Sequence, residues 1–138
     1  MTEFRFRIND REHGFRIASA AGVLFNPNAD QVISRMKGDE LLGGVVYNSY
    51  TQGGSVNIHM AGFAPFWANK DMMWMAFDYP FNQLGVKKVL ALVPASNTLA
   101  LEIDKKMGFK EEARIADVYH DGDLIVLGMY REQCRWLR

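Results

Sequence analysis

Apolar and polar residues alternate over positions 4–8, FRFRI, and this pattern predicts a strand. An Asn-Pro-Asn sequence at 26–28 is typical of a turn. After it, the apolar spacing over residues 32–36 predicts a short helix, which ends at the Lys-Gly-Asp sequence of 37–39.

The middle of the chain has the pattern of a hairpin followed by a helix. Residues 40–50 are rich in valine and tyrosine and predict a strand, the Gln-Gly-Gly sequence at 52–54 predicts a turn, and 55–61 predicts the returning strand. Helical spacing then covers 69–84. Pro80 lies inside this segment and lacks a backbone donor, so we expect the helix to kink or to end early.

A continuous apolar run, VLALV at 89–93, predicts a strand covered on both faces, as in the parallel part of a mixed sheet. Residues 97–107 predict a helix, and Gly108 is well placed to stop it. The residues expected to face inward from this helix are Leu99, Ala100, Ile103 and Met107.

Two further strands are predicted at 109–119 and 124–130, with Asp121-Gly122 as a hairpin turn between them. Antiparallel hairpins thus flank one strand–helix–strand crossover. This order predicts an α+β fold with a mixed, mostly antiparallel sheet and helices on both faces. No linker divides the sequence, so we expect residues 1–138 to form a single domain.

Composition narrows the classes of function. Lys plus Arg and Asp plus Glu both number 16, so the net charge is zero, and we expect no nucleic-acid partner. The longest apolar run, 72–77, is far below the roughly 20 residues of a membrane-spanning helix, so we expect no membrane partner. The charged N-terminus and the single cysteine, Cys134, favour a cytoplasmic protein. The spacing of the three histidines and this cysteine predicts no metal site.

The segment 89–109 carries a specific pattern. The apolar strand is followed by Asn97, Ala100 and Gly108-Phe109, which together read N-x-x-A-x₇-G-F, and residues 81–88, FNQLGVKK, lie before the strand. This segment resembles the Gcn5-related N-acetyltransferase (GNAT) superfamily, and its residues are most similar to those of the branch of ribosomal-protein N-terminal acetyltransferases. The predicted order of strands and helices also fits the fold of that superfamily.

The resemblance implies an enzyme that transfers an acetyl group from acetyl-CoA to a primary amine by direct attack. The amine could belong to a protein N-terminus, a lysine or a small molecule. The alternative is a catalytically degenerate member that acts as an acyl-CoA-binding or protein-interaction module. The Met-, Phe- and Trp-rich composition leaves material for a homo-oligomer interface.

The resemblance also implies where the cofactor binds. Met60, Ala61 and Gly62 lie at the end of the strand that would pair with the pantetheine arm, although they also fit an ordinary strand end. Asn97 matches an asparagine that faces the cofactor, and it also fits a helix N-cap. Lys105 lies near the region that meets the CoA phosphates in relatives, and a solvated helix face explains it equally well.

The phosphate loop departs from the superfamily pattern. It falls near 64–69, and the glycines that would let the backbone approach a pyrophosphate are missing there. Either Asn69, Lys70 and Asp71 supply the backbone amides at the start of the next helix, with Lys70 adding positive charge, or CoA binding is weakened. We expect the first of these.

The catalytic candidates come from strand alternation and from the resemblance. Alternation places Asn57, His59 and Ala61 on one face, so His59 is the candidate base if that face borders the substrate, and a structural histidine if it does not. Many relatives have a tyrosine at position 104 as the general acid. Asp104 is ionised at neutral pH unless it is strongly perturbed, and Ser96 remains as a weak candidate.

Overall fold

The structure, a computed structural model, describes residues 3–138. The regular elements run, in chain order, as β1 Phe4–Ile8, α1 Arg11–Ala21, β2 Gln31–Lys37, β3 Glu40–Asn48, β4 Ser55–Gly62, α2 Lys70–Asp78, β5 Lys88–Pro94, α3 Thr98–Met107, β6 Lys110–Tyr119 and β7 Gly122–Tyr130. A π-helical turn, Tyr79–Leu84, follows α2 directly.

The strands form one sheet in the order β1-β2-β3-β4-β5-β7-β6. Every neighbouring pair is antiparallel except β4 and β5, which are parallel and are joined through α2. The predicted mixed, mostly antiparallel α+β sheet is confirmed.

Helices cover the sheet on both faces, as predicted. On one face, Ile17 and Ala18 of α1 pack on Val32 and Val46. On the other face, α2 and α3 pack over a larger core that includes Tyr47, and its members are fully or almost fully buried. The change of face between Val46 and Tyr47 follows from the two-residue period of a strand.

The predicted helix at 32–36 is wrong, because this segment is the strand β2. It pairs with β1 on one side and with β3 on the other, and both of its faces are buried. Val32 therefore packs under α1 while Ile33 packs into the opposite core. Apolar residues on both faces of a strand place apolar side chains at consecutive positions, and this pattern resembles helical spacing.

The helix α1 was not predicted from the sequence. The Asp10 side chain accepts a hydrogen bond from the backbone N–H of His13 at 2.9 Å and caps its first turn. Gly22 ends the helix in the left-handed region, at φ 78°, which glycine adopts at little cost. The buried face is small and partly polar, and this composition conceals the helical period; its residues are His13, Gly14, Ile17 and Ala18.

The other elements agree with the sequence, with two corrections in burial. α2 ends at Asp78, shortly before Pro80, as expected. Leu99 and Ile103 do not face inward but are 67% and 48% exposed, and Leu101 is the buried residue of α3. β5 is fully buried on one face and half-buried on the other, because α1 packs mainly on β2, β3 and β4.

Candidate active site

The sheet opens between β4 and β5. These strands pair at three positions only, from Ser55 opposite Lys88 to Asn57 opposite Leu90. On its other side β4 remains paired with β3 as far as Gly62, and β5 remains paired with β7 throughout. Beyond Asn57 the two parallel strands therefore diverge, and the facing backbone edges of 58–62 and 91–94 are left without a strand between them.

A cleft of about 110 Å³ lies at this divergence, and we call it the β4–β5 cleft. Its walls are formed by strand residues 58–60 of β4 and 91–94 of β5, and by residues of or next to the two helices: Asn97, Ala100, Asp104 and Phe109 at α3, and Ala21 at the end of α1. Since α1 and α3 lie on opposite faces of the sheet, the cleft reaches both faces through the gap between the strands. Two ligands could therefore meet in it from opposite sides.

His59 lies in this cleft and is partly buried. Its Nε2 is 3.0 Å from Oδ1 of Asn48 on the neighbouring strand. With the amide oxygen as acceptor, Nε2 carries the proton and Nδ1 holds the free lone pair. Burial lowers the pKa of His59 below its ordinary value of 6.5, although the negative charge of Asp30 opposes this shift. The ring is therefore neutral at pH 7 and can accept a proton.

Asn97 both caps the helix α3 and lines the β4–β5 cleft. Its Oδ1 accepts a hydrogen bond from the backbone N–H of Ala100 at 3.1 Å, and this bond caps α3. The residue is exposed and also lines the β4–β5 cleft. With the oxygen used by the cap, the amide NH₂ group is left as a donor toward the cleft.

Asp104 lies two turns after Asn97 on the same side of α3 and also lines the β4–β5 cleft. Burial raises the pKa of its carboxyl from 3.8 to about 6, and no neighbouring charge contributes to this change. The sequence alone could not indicate this rise in the pKa of Asp104, because it depends on burial in the folded protein.

The other residues predicted to bind pantetheine differ in position. Met60 lines the β4–β5 cleft, whereas Ala61 and Gly62 continue β4 toward its end, outside the lining. The ring of Trp67 lies against the backbone of Gly62 and of Gly43 on the adjacent strand. A Cβ at either glycine would collide with this ring, so these two glycines are required by close packing.

The start of α2 is a capped helix N-terminus. The Asn69 side chain accepts a hydrogen bond from the N–H of Met72 at 2.9 Å, while Lys70 and Asp71 are exposed in the first turn. The N–H groups of Phe63 and Ala64, earlier in the same loop, already donate to Leu42. The free amides at this helix end are therefore those at its very start.

Two predicted residues lie apart from the β4–β5 cleft. Ser96 is exposed in the turn before α3, and Lys105 is exposed on the last turn of that helix. Over residues 3–138 no group of three or more histidine, cysteine, aspartate or glutamate side chains is arranged to hold a metal ion. Likewise, none of the helices in that range is long and apolar enough to cross a membrane.

Sequence reasoning missed two features of the cleft. Asn48, which orients His59, lies eleven residues away along the chain, and only strand register brings the two together. The position of Asp104 did have a signal, because residues 97, 100 and 104 share one helical face and all three line the cleft.

No protein-family model matches the chain, and no curated protein matches it. Among solved structures, spermidine N-acetyltransferase from Vibrio cholerae in complex with CoA and spermine is 15% identical, with 98% of this chain and 98% of that chain covered and a TM-score of 0.72. A dodecameric structure of the same enzyme in an intermediate state is 15% identical, with 94% of each chain covered and a TM-score of 0.71.

A third solved structure is that of the spermidine/spermine N-acetyltransferase SpeG from Vibrio cholerae in complex with manganese ions. It is 16% identical, with 93% of this chain and 92% of that chain covered and a TM-score of 0.70. At these identities the likeness establishes the fold. The seven-stranded sheet with its divergent central strands therefore has the fold of the Gcn5-related N-acetyltransferases.

Proposed function

We propose that this protein is an acetyl-CoA-dependent N-acetyltransferase that acts on a primary amine. The observation that carries the proposal is the β4–β5 cleft, which opens to both faces of the sheet and contains a neutral histidine. The fold shared with spermidine N-acetyltransferases supports it.

The residues around the cleft fit acetyl-CoA. The open backbone edges of 58–62 and 91–94 offer N–H and C=O groups to the amides of a pantetheine arm, along Met60, Ala61 and Gly62. Asn97 adds a side-chain donor at the cleft. The pyrophosphate would be received by the free amides at the start of α2, within 69–71, where Lys70 adds positive charge and the helix dipole favours an anion. Lys105 remains a candidate for the outer phosphates.

The chemistry follows from the state of His59. A primary amine is protonated at neutral pH and must lose a proton before its nitrogen can attack the thioester carbon. Nδ1 of the neutral ring can take this proton directly or through a water. The C–N bond then forms and the C–S bond breaks with its electron pair moving to sulfur, while the cleft holds both reactants in place. The nitrogen loses its second proton to solvent as the amide forms.

A small-molecule amine is the acceptor that the comparisons favour, since one of the similar solved enzymes is bound to spermine. A protein N-terminus or a lysine is the other class of acceptor, and the resemblance of residues 81–88 to the ribosomal-protein branch supports it. The dodecameric state of a similar enzyme supports a homo-oligomer for this chain.

A non-catalytic acyl-CoA-binding module is the second candidate. The observation in its favour is the loop before α2, where Trp67 packs on Gly62 in a region that lacks the loop glycines. In this case the cleft would still bind the cofactor, but no amine would be acetylated.

The test combines binding with turnover. Acetyl-CoA should raise the melting temperature, and thiol release should be measured with spermidine, with a peptide carrying a free N-terminus and with a peptide carrying an internal lysine. Stabilisation with turnover on any amine supports the enzyme, and stabilisation without turnover supports the module. Absence of stabilisation at millimolar acetyl-CoA would contradict both.

A further inference from the structure

The β4–β5 cleft contains two titratable side chains on different walls. His59 projects from β4 on the face that α1 covers, and Asp104 projects from α3, which packs on the opposite face. Every lining residue belongs to the described part of the chain, and none of the others has a side chain that titrates. The cleft therefore brings together one proton acceptor and one carboxyl that come from elements on opposite faces of the sheet.

Acetyl transfer to an amine requires removal of protons from the amine nitrogen and delivery of a proton to the departing sulfur. As the C–S bond breaks, its electron pair moves to sulfur and produces a thiolate. An ordinary thiol has a pKa near 8.5, so this thiolate leaves more readily when a neighbouring acid supplies a proton. The acid must lie inside the cleft and must carry its proton when the bond breaks.

We propose that Asp104 is the general acid that protonates the departing thiolate, an inference that rests on the proposed acetyltransferase activity. The Asp104 carboxyl gives its proton to sulfur, forming the free thiol, and then regains a proton from solvent when the products leave. The amine loses two protons separately from this step: one passes to His59 before the attack, and the other passes to solvent as the amide forms. Ser96 does not fit this role, because it is exposed and lies outside the cleft.

The electrostatic surroundings of Asp104 agree with this role. Burial alone raises the pKa of its carboxyl to about 6, so roughly a tenth of the free protein carries this proton at pH 7. A thioester that fills the cleft would displace water and raise this pKa further, because desolvation disfavours the charged form.

None of the charged groups around α3 that are described below forms an ion pair with Asp104. On the helix itself, Lys106 forms an ion pair with Glu102 at 3.2 Å, and Lys105 is exposed. Arg135, from the C-terminal turn packed against the helix end, donates to the backbone oxygen of Lys106. Across the cleft, His59 on β4 is neutral at pH 7, and no charge among these groups contributes to the pKa of Asp104.

The experiment compares Asp104→Asn and Asp104→Glu with a matched control, Glu102→Gln, on the exposed side of the same helix. Asp104→Asn is expected to lower kcat by about 10- to 100-fold, the lower part of the range for acid–base catalysis because a thiolate is a fair leaving group. Asp104→Glu should recover part of this loss, and Glu102→Gln should leave kcat unchanged. Calorimetry should show acetyl-CoA affinities within about twofold of the wild type, since the residue acts on the bond that breaks.

The pH profile separates catalysis from structure. The wild-type kcat should fall on the alkaline side as Asp104 loses its proton, at a pH at or above about 6, and this fall should be absent from Asp104→Asn. If the wild-type protein turns over and Asp104→Asn has the same kcat, the general-acid role of Asp104 is wrong, although the acetyltransferase activity stands. A fall in kcat matched by an equal loss of acetyl-CoA affinity would also overturn that role. Absence of turnover in the wild-type protein on every amine would overturn the proposed function itself.

Discussion

Replacing Asp104 by asparagine is expected to stabilise the folded protein at neutral pH, whatever the residue does in catalysis. The pKa of this carboxyl rises from 3.8 in the unfolded chain to about 6 in the fold, a difference of roughly two pKa units. At about 1.4 kcal/mol per unit, the ionised form would cost up to about 3 kcal/mol of the free energy of unfolding. Solvent reaches part of this side chain, and screening reduces the expected effect to about 1–2 kcal/mol.

The sign of this effect depends on pH. A carboxyl with a raised pKa costs nothing while it is protonated in both states, below about pH 4. The cost grows as the pH rises from 4 to 6 and is constant above that range. Asparagine has nearly the same shape and carries no charge, so Asp104→Asn should remove the cost at pH 7.5 and change little at pH 4.

Urea unfolding of the wild type, Asp104→Asn and the control Asp121→Asn measures this effect at both pH values. Asp121 is exposed in the β6–β7 turn, so its replacement should be nearly neutral at either pH. If the difference between Asp104→Asn and wild type were the same at pH 4 and pH 7.5, the carboxyl would not be buried as the structure places it.

Three further predictions concern the rest of the site. His59→Ala is expected to lower turnover by about 10²–10⁴-fold at nearly unchanged acetyl-CoA affinity, while the exposed His120→Ala changes neither. Because burial lowers the pKa of His59, wild-type kcat/KM should rise with pH at values below 6.5, and a folded His59→Ala protein with the same rise and turnover would exclude this base. Asn97→Ala should weaken acetyl-CoA binding by about 1–2 kcal/mol and, through loss of the α3 cap, lower stability by about 1 kcal/mol; unchanged affinity by calorimetry would remove Asn97 from the site. Gly62→Ala should displace Trp67 and cost about 1–3 kcal/mol, and an unaltered tryptophan emission spectrum with unaltered stability would contradict this packing.

The sequence predicted the elements whose local signals agree with their tertiary environment. The two hairpins with turns at 52–54 and 121–122 have turn residues between strands of clear β propensity. The helix α3 has an N-cap at Asn97 and is ended by Gly108. These signals are local, so a single sequence is sufficient to detect them.

The two errors in the first third of the chain have a common physical origin. β2 is buried on both faces and lies between two strands, so its apolar residues lose the two-residue alternation. α1 buries a narrow face that includes His13 and Gly14, so its apolar period is weak. In both segments the burial is decided by which neighbours pack on them, and this information lies elsewhere in the chain.

The site was predictable to the extent that it depends on single elements. Strand alternation placed His59 and Met60 on opposite faces of β4, and the structure shows both lining the cleft because the gap between the strands gives access to each face. The burial of Asp104 and the contact of His59 with Asn48 depend on how elements pack together. A single sequence does not contain that information in readable form.

The short pairing of β4 with β5 also determines how the sheet yields under load. Four strands lie on one side of this line and three on the other, and each set is held by longer antiparallel pairing, whereas three residue pairs join the two sets. We therefore expect local opening of the sheet to occur between β4 and β5, where the packing of the shared core is the main remaining interaction that opposes it. An extended ligand that forms hydrogen bonds with both open edges would act as an additional strand. It would make the two groups of strands unfold as one cooperative unit.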